Sequence, residues 1–150
     1  MKVVWVSVCV VAAFAIQSQI SLFGVTPNMT VVVAYYLGIK GGAAKGLALG
    51  SIIGIIEDSV GGSILGPNLL GKGLVGFLAS FSSGSLFRWT PLLGMISIFV
   101  LTVMDGGVVY LSRSIFGTLP GSLSRGILML LAQGLLNLGL GIFIKPRNVD

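Results

Sequence analysis

Charged residues interrupt this chain at wide intervals and leave uncharged, mostly apolar runs at 3–39, 46–56, 59–71, 73–87, 89–104 and 126–144. A helix that crosses the hydrocarbon of a bilayer needs about 20 residues, so about six spans would take about 120 residues and leave about 30 for connections and tails. Turn residues divide the runs accordingly. Met1, Lys2 and the run 3–16 imitate a secretory signal, with Ala13-Phe14-Ala15 as a cleavage-like site. Apolar character continues through Phe23, however, and that favours a retained first span. Pro27 suits the first turn of a second span that ends near Ile39 and covers only about 20 Å. Lys40-Gly41-Gly42 and Lys45 turn the chain into a third span that ends near Gly61. Asn68 is placed to cap a fourth span reaching about Phe87, and Arg88-Trp89-Thr90-Pro91 reads as an interfacial corner. A fifth span runs from about 91 to 112, and after a loop at Gly117 to Ser124 the last leads from Arg125 to about Ile144.

Within the third span the spacing is unusual. Gly42, Gly46, Gly50, Gly54, Asp58, Gly62 and Gly66 follow one another at every fourth position, which on a helix forms one ridge stripped of side chains. Such a ridge lets another helix approach closely. Two uses are open to Gly46, Gly50 and Gly54: packing within the chain's own bundle, or docking of a partner helix.

Composition settles the environment. Hydrophobic residues make up 55% of the chain and charged residues 9%, with a mean hydropathy of +1.05. That leaves too little polar surface for a water-soluble domain, so the chain reads as a single polytopic membrane domain over residues 1–150. Without His and with Cys9 as the sole Cys, it lacks the usual metal and haem ligand sets and any disulfide, and no cofactor is expected. The net charge of +5 comes from Lys and Arg scattered singly at run ends, a pattern of membrane topology rather than nucleic-acid binding. With six spans and both termini in the cytoplasm, Lys2, Lys40, Lys45, Arg88, Lys145 and Arg147 fall inside, and Lys72, Arg113 and Arg125 outside. The same orientation puts Glu57, Asp58 and Asp105 in the outer half of the membrane.

A carboxylate at that depth needs a partner, which makes Glu57, Asp58, Lys72, Asp105 and Arg113 the candidates for intramembrane ion pairs. Asp58 with Lys72 and Asp105 with Arg113 are the pairings suggested by depth. Two membrane aspartates also raise the question of an aspartyl protease. Yet Glu57-Asp58-Ser59-Val60 and Met104-Asp105-Gly106-Gly107 lack the Gly-x-Gly-Asp and Asn/Asp patterns of known intramembrane proteases. Ser83-Gly84-Ser85 has no histidine to serve as base. No catalytic set remains. Short Gly- and Pro-broken helices with charges near the midplane also occur in small-molecule carriers, but there is no aromatic-rich pocket signature and no repeated half.

Pro27-Asn28 opening a span, Tyr36 near its end, the basic Gly-rich turn at Lys40 to Lys45, Gly50-x-x-x-Gly54-x-x-x-Asp58 and the loop ending in Leu65-Gly66 together resemble the MreD family of rod-shape-determining membrane proteins. The resemblance implies an all-α bundle of about six transmembrane helices, similar in fold to the substrate-binding subunits of energy-coupling-factor transporters. Fold likeness does not transfer function, and the Ala-x-x-x-Ala docking patch of those subunits is absent from Ala12, Ala13 and Ala15. It further implies a non-enzymatic, multi-pass protein of the bacterial cytoplasmic membrane. Its implied partners are an MreC-like protein, a glycan polymerase and a penicillin-binding transpeptidase of the elongation complex, and indirectly an MreB-like filament. On this reading Gly46, Gly50, Gly54 and Asp58 serve helix packing or partner binding, with Pro27, Asn28 and Gly66 shaping the spans. The alternative is a small-molecule-binding transporter subunit.

Overall fold

A computed structural model of the chain describes residues 25–61, 65–82, 89–116 and 122–146, together with Val8, Ala12, Ala13, Ala15, Gln17 and Gln19. Those six N-terminal residues are helical. The rest of the expected first span lies outside the described residues, as do Arg88, the end of the expected fourth span and most of the loop at Gly117 to Ser124.

The described residues form five helices: α1 (Met29–Gly41), α2 (Ala43–Val60), α3 (Pro67–Ala79), α4 (Pro91–Ile115) and α5 (Leu123–Leu138). Short 3-10 turns at Ser80–Ser82 and Gly139–Ile142 extend α3 and α5. Each start has a local cause. The Asn28 side chain accepts from the Val31 N–H and Thr90 from the Leu93 N–H, two N-caps that fix where α1 and α4 begin. Pro27 therefore sits just ahead of the cap rather than in the first turn. Pro67 and Pro91 occupy first-turn positions, where a missing N–H leaves nothing unpaired.

Gly42 alone joins α1 to α2. Its φ of +81° ends one helix and begins the next, a conformation that would strain any side chain. The resulting corner folds α2 back beside α1. α3 then returns antiparallel to α2, and α4 and α5 form a second antiparallel pair against them.

Val31, Ala34, Tyr35, Ile53, Val75, Ala79 and Ile98 are almost wholly buried and tie α1 to α4 into one core. The Tyr35 hydroxyl donates to the Gly94 carbonyl at 3.5 Å. Trp89, expected at the interface, is turned inward and only 9% exposed.

α4 and α5 with its 3-10 extension are long and apolar enough to cross a membrane, whereas α1 is apolar but short. Only 28% and 17% of the two apolar stretches is buried within the protein. Core helices of a soluble protein would hide that surface, so these two present it to lipid or to other membrane helices.

Candidate functional site

The glycine ridge faces inward. A methyl group added at Gly46, Gly50 or Gly54 would fall on the backbone carbonyl of Gly76, Lys72 or Asn68 respectively, so α2 and α3 touch backbone to backbone along three helical turns. Gly38 of α1 meets Gly76 in the same place. Of the two uses open to the ridge, the structure displays packing within the chain. α3 covers that edge at Gly46, Gly50 and Gly54, while Gly42 has nothing within 4 Å and Gly62 lies outside the described residues.

At the end of the ridge Asp58 is fully buried. It does not pair with Lys72. Its Oδ2 accepts from the Gly66 N–H at 2.9 Å and the Leu69 N–H at 3.2 Å, and its Oδ1 from the Asn68 N–H at 3.2 Å and the Asn68 side-chain amide at 2.8 Å. A carboxylate from one helix thus caps the positive N-terminal end of the next. This displaces the expected capping by Asn68, whose amide serves Asp58 instead. Gly66 holds the cap position at φ +139°.

Lys72 is paired with the two other acids. Its Nζ lies 2.8 Å from Glu57 Oε2, 3.4 Å from Asp105 Oδ2 and 3.0 Å from Asn68 Oδ1, one acceptor for each of its three N–H donors. Lys72 is fully buried and Glu57 is 17% exposed. Asp105 packs over Gly71, where any side chain would displace it. Asn28 joins the cluster by donating from Nδ2 to Asp105 Oδ2 at 3.1 Å. The single Thr30 hydroxyl proton lies within 2.8 Å contacts to both Asn28 Oδ1 and Glu57 Oε2. Asn137 of α5 donates to the Asn28 carbonyl and to Thr102 Oγ1. All five helices therefore send a polar group to one buried centre.

The expected pairing of Asp105 with Arg113 is likewise replaced, since Asp105 takes Lys72 and Asn28. Arg113 lies two turns farther along α4 and lines a cavity of about 400 Å³. Asn28, Glu57, Asn68 and Asp105 form one part of its wall. Gly106, Val109, Tyr110 and Arg113 of α4, Arg125, Gly126, Met129, Leu130 and Gln133 of α5, and Gln17 form the remainder. Lys72, Glu57, Asp105, Arg113 and Arg125, placed at similar depth by the sequence, are gathered here around one buried centre and its adjoining cavity. Asn137, Thr30 and Thr102 were not legible as members, because an uncharged polar residue in an apolar run gives no spacing signal.

No curated protein and no solved structure matches the chain. A family match covers residues 1–143, under the description rod shape-determining protein MreD. Spanning nearly the whole sequence, that match shows that the chain belongs to the MreD family of membrane proteins, which act in determining rod shape.

Proposed function

We propose that this protein is a non-enzymatic scaffold or regulator of peptidoglycan elongation that acts by lateral binding of partner membrane proteins. It spans the bacterial cytoplasmic membrane with about six helices and both termini in the cytoplasm, in a bundle like that of energy-coupling-factor substrate-binding subunits. Its partners are an MreC-like protein, the glycan polymerase and the penicillin-binding transpeptidase of the elongation complex, with an MreB-like filament engaged indirectly. The observation that carries this reading is the family match over residues 1–143.

The glycine ridge is occupied by α3, so partner helices meet outward faces instead. On α2 the face away from the ridge carries Ile52, Ile55 and Ile56, and on α5 the outward face carries Ile127, Leu128, Leu131 and Leu135, all exposed. Depletion in a rod-shaped host tests the proposal: cells should round up as elongation fails. Persisting rods with normal elongation after the protein is gone would refute it.

A second reading, a small-molecule-binding transporter subunit, draws support from the cavity between α4 and α5. A small ligand retained through purification, with rod shape unaffected by depletion, would favour that reading over the first.

A further inference from the structure

The cavity is electrically divided. At one end Glu57 and Asp105 share the single ammonium of Lys72, two carboxyl groups to one cation, with Asp105 buried and Glu57 partly exposed to the cavity. Arg125 lines the other end, with Arg113 as a second guanidinium. The helix register sets their separation. Tyr110 lies over Gly126 and Leu130 over Gly106, so α4 and α5 run antiparallel, and Arg125 falls within about one turn of Arg113. Asp105 and Arg113 are about 12 Å apart along α4. Both charges border the same cavity, so a ligand filling it meets both.

Asp105 Oδ1 is packed against Gly71 and does not open onto the cavity, so the carboxylate that a ligand can reach is that of Glu57. Glu57 uses only Oε2 for its bonds to Thr30 and Lys72. The carboxylate end therefore offers acceptors and wants donors. Val109, Met129 and Leu130 supply the apolar wall between the ends.

We propose that this cavity is a binding site for a zwitterion with a primary ammonium at one end and a phosphate or carboxylate at the other, the ammonium against Glu57 and the anion against Arg125. A simple anion is repelled by Glu57 and Asp105, and a simple cation by the two arginines. A quaternary ammonium has no N–H to give the waiting acceptors. The ethanolamine phosphate headgroup of a membrane phospholipid has this chemistry, and so does a free amino-phosphate in solution. The site follows from the cavity alone and does not depend on lateral partner binding or on rod-shape determination.

Native mass spectrometry of the full-length protein released from bilayers of mixed headgroups tests it. Phosphatidylethanolamine should be retained about tenfold over phosphatidylcholine and phosphatidylglycerol, the size expected when charge-assisted hydrogen bonds are lost. Arg125→Gln should abolish that preference and Arg125→Lys restore part of it. Arg125 is exposed, so neither change threatens the fold. Val109→Trp, which pushes an indole into the cavity between its two ends, should act like Arg125→Gln. In lipid-free detergent, free phosphoethanolamine that raises the melting temperature of the wild-type protein but not of Arg125→Gln identifies a soluble ligand, and retention of the intact lipid alone identifies a membrane one. Equal retention of the three lipids with no effect of phosphoethanolamine overturns the proposal. So does a headgroup preference that survives both Arg125→Gln and Val109→Trp.

Discussion

Asp58→Ala separates a capping carboxylate from one that serves a partner. The Asp58 oxygens accept from four donors: the N–H groups of Gly66, Asn68 and Leu69 and the Asn68 amide. Alanine strands all four, the two Asn68 donors in a buried site and those of Gly66 and Leu69 in a partly buried one. Losing an N-cap costs about 1–2 kcal/mol. A buried donor left unpaired costs about 1–3 kcal/mol, and removing a negative charge from a partly buried helix N-terminus adds up to about 2 kcal/mol. These costs overlap, so about 4 kcal/mol is a sensible expectation, against about 5–15 kcal/mol for a whole domain. Asp58→Ala should accumulate poorly in the membrane and melt roughly 10 °C or more below wild type in a detergent thermal-shift assay. Asp58→Asn keeps one acceptor oxygen and should fall between. Wild-type abundance and melting temperature in Asp58→Ala, with rod shape lost, would refute the cap and return Asp58 to the partner-binding residues.

Glycines separate in the same way. Gly50→Leu, forced onto the Lys72 carbonyl, should destroy accumulation, whereas Gly107→Ala, with nothing within 4 Å, should hold or gain up to about 1 kcal/mol in the thermal-shift assay. A tolerated Gly50→Leu would contradict the close helix contact. Lys72→Met leaves two acids buried without their cation and should cost about 3–5 kcal/mol. Adding Glu57→Gln and Asp105→Asn should recover much of that loss, and a neutral Lys72→Met would disprove the ion-pair cluster. Amide hydrogen exchange in detergent should proceed more slowly in α2 and α3 than in α5; the reverse order would deny that the ridge is the firmest interface.

The ridge was legible because a four-residue period is the signature of one helix face. What it touches was not. The facing positions on α3, Asn68, Lys72 and Gly76, share the period, but two of them are large and escape a search for small residues. They meet the ridge with their carbonyl oxygens, so Asn68 and Lys72 can keep their side chains, whereas at Gly46 and Gly76 each backbone lies against the other and both helices need glycine. Depth along the membrane grouped Lys72 with the acids but did not choose between Glu57 and Asp58. Adjacent residues on a helix point about 100° apart, so one turns to Lys72 and the other to the start of α3. Asn137 shares the run 126–144 with Gln133, nothing in the sequence assigns it a partner, and only the fold brings it to Asn28 and Thr102.

The two helix pairs are built differently, and the difference bears on function. Between α2 and α3 glycine meets a backbone carbonyl at Gly46, Gly50 and Gly54, and at those three contacts no side chain intervenes that could change rotamer to absorb movement. Along α5 itself the close contacts with α4 are side chains set against glycines, Leu130 on Gly106, Tyr110 on Gly126, and Phe99 with Val103 on Gly134, while its 3-10 extension meets α4 backbone to backbone at Gly94 and Gly141. Side chains of this kind can turn, so α5 is free to shift by degrees about its anchored C-terminal end where α2 and α3 must stay or separate. Among the hydrogen bonds between described residues, α5 is tied to the buried polar centre through Asn137 alone. The cavity lies on this compliant side and takes part of its wall from α5. A ligand bridging Glu57 and Arg125 would therefore join the helix with the loosest attachment to the part of the bundle with the firmest, and would fix the outward face that α5 offers to its neighbours in the membrane.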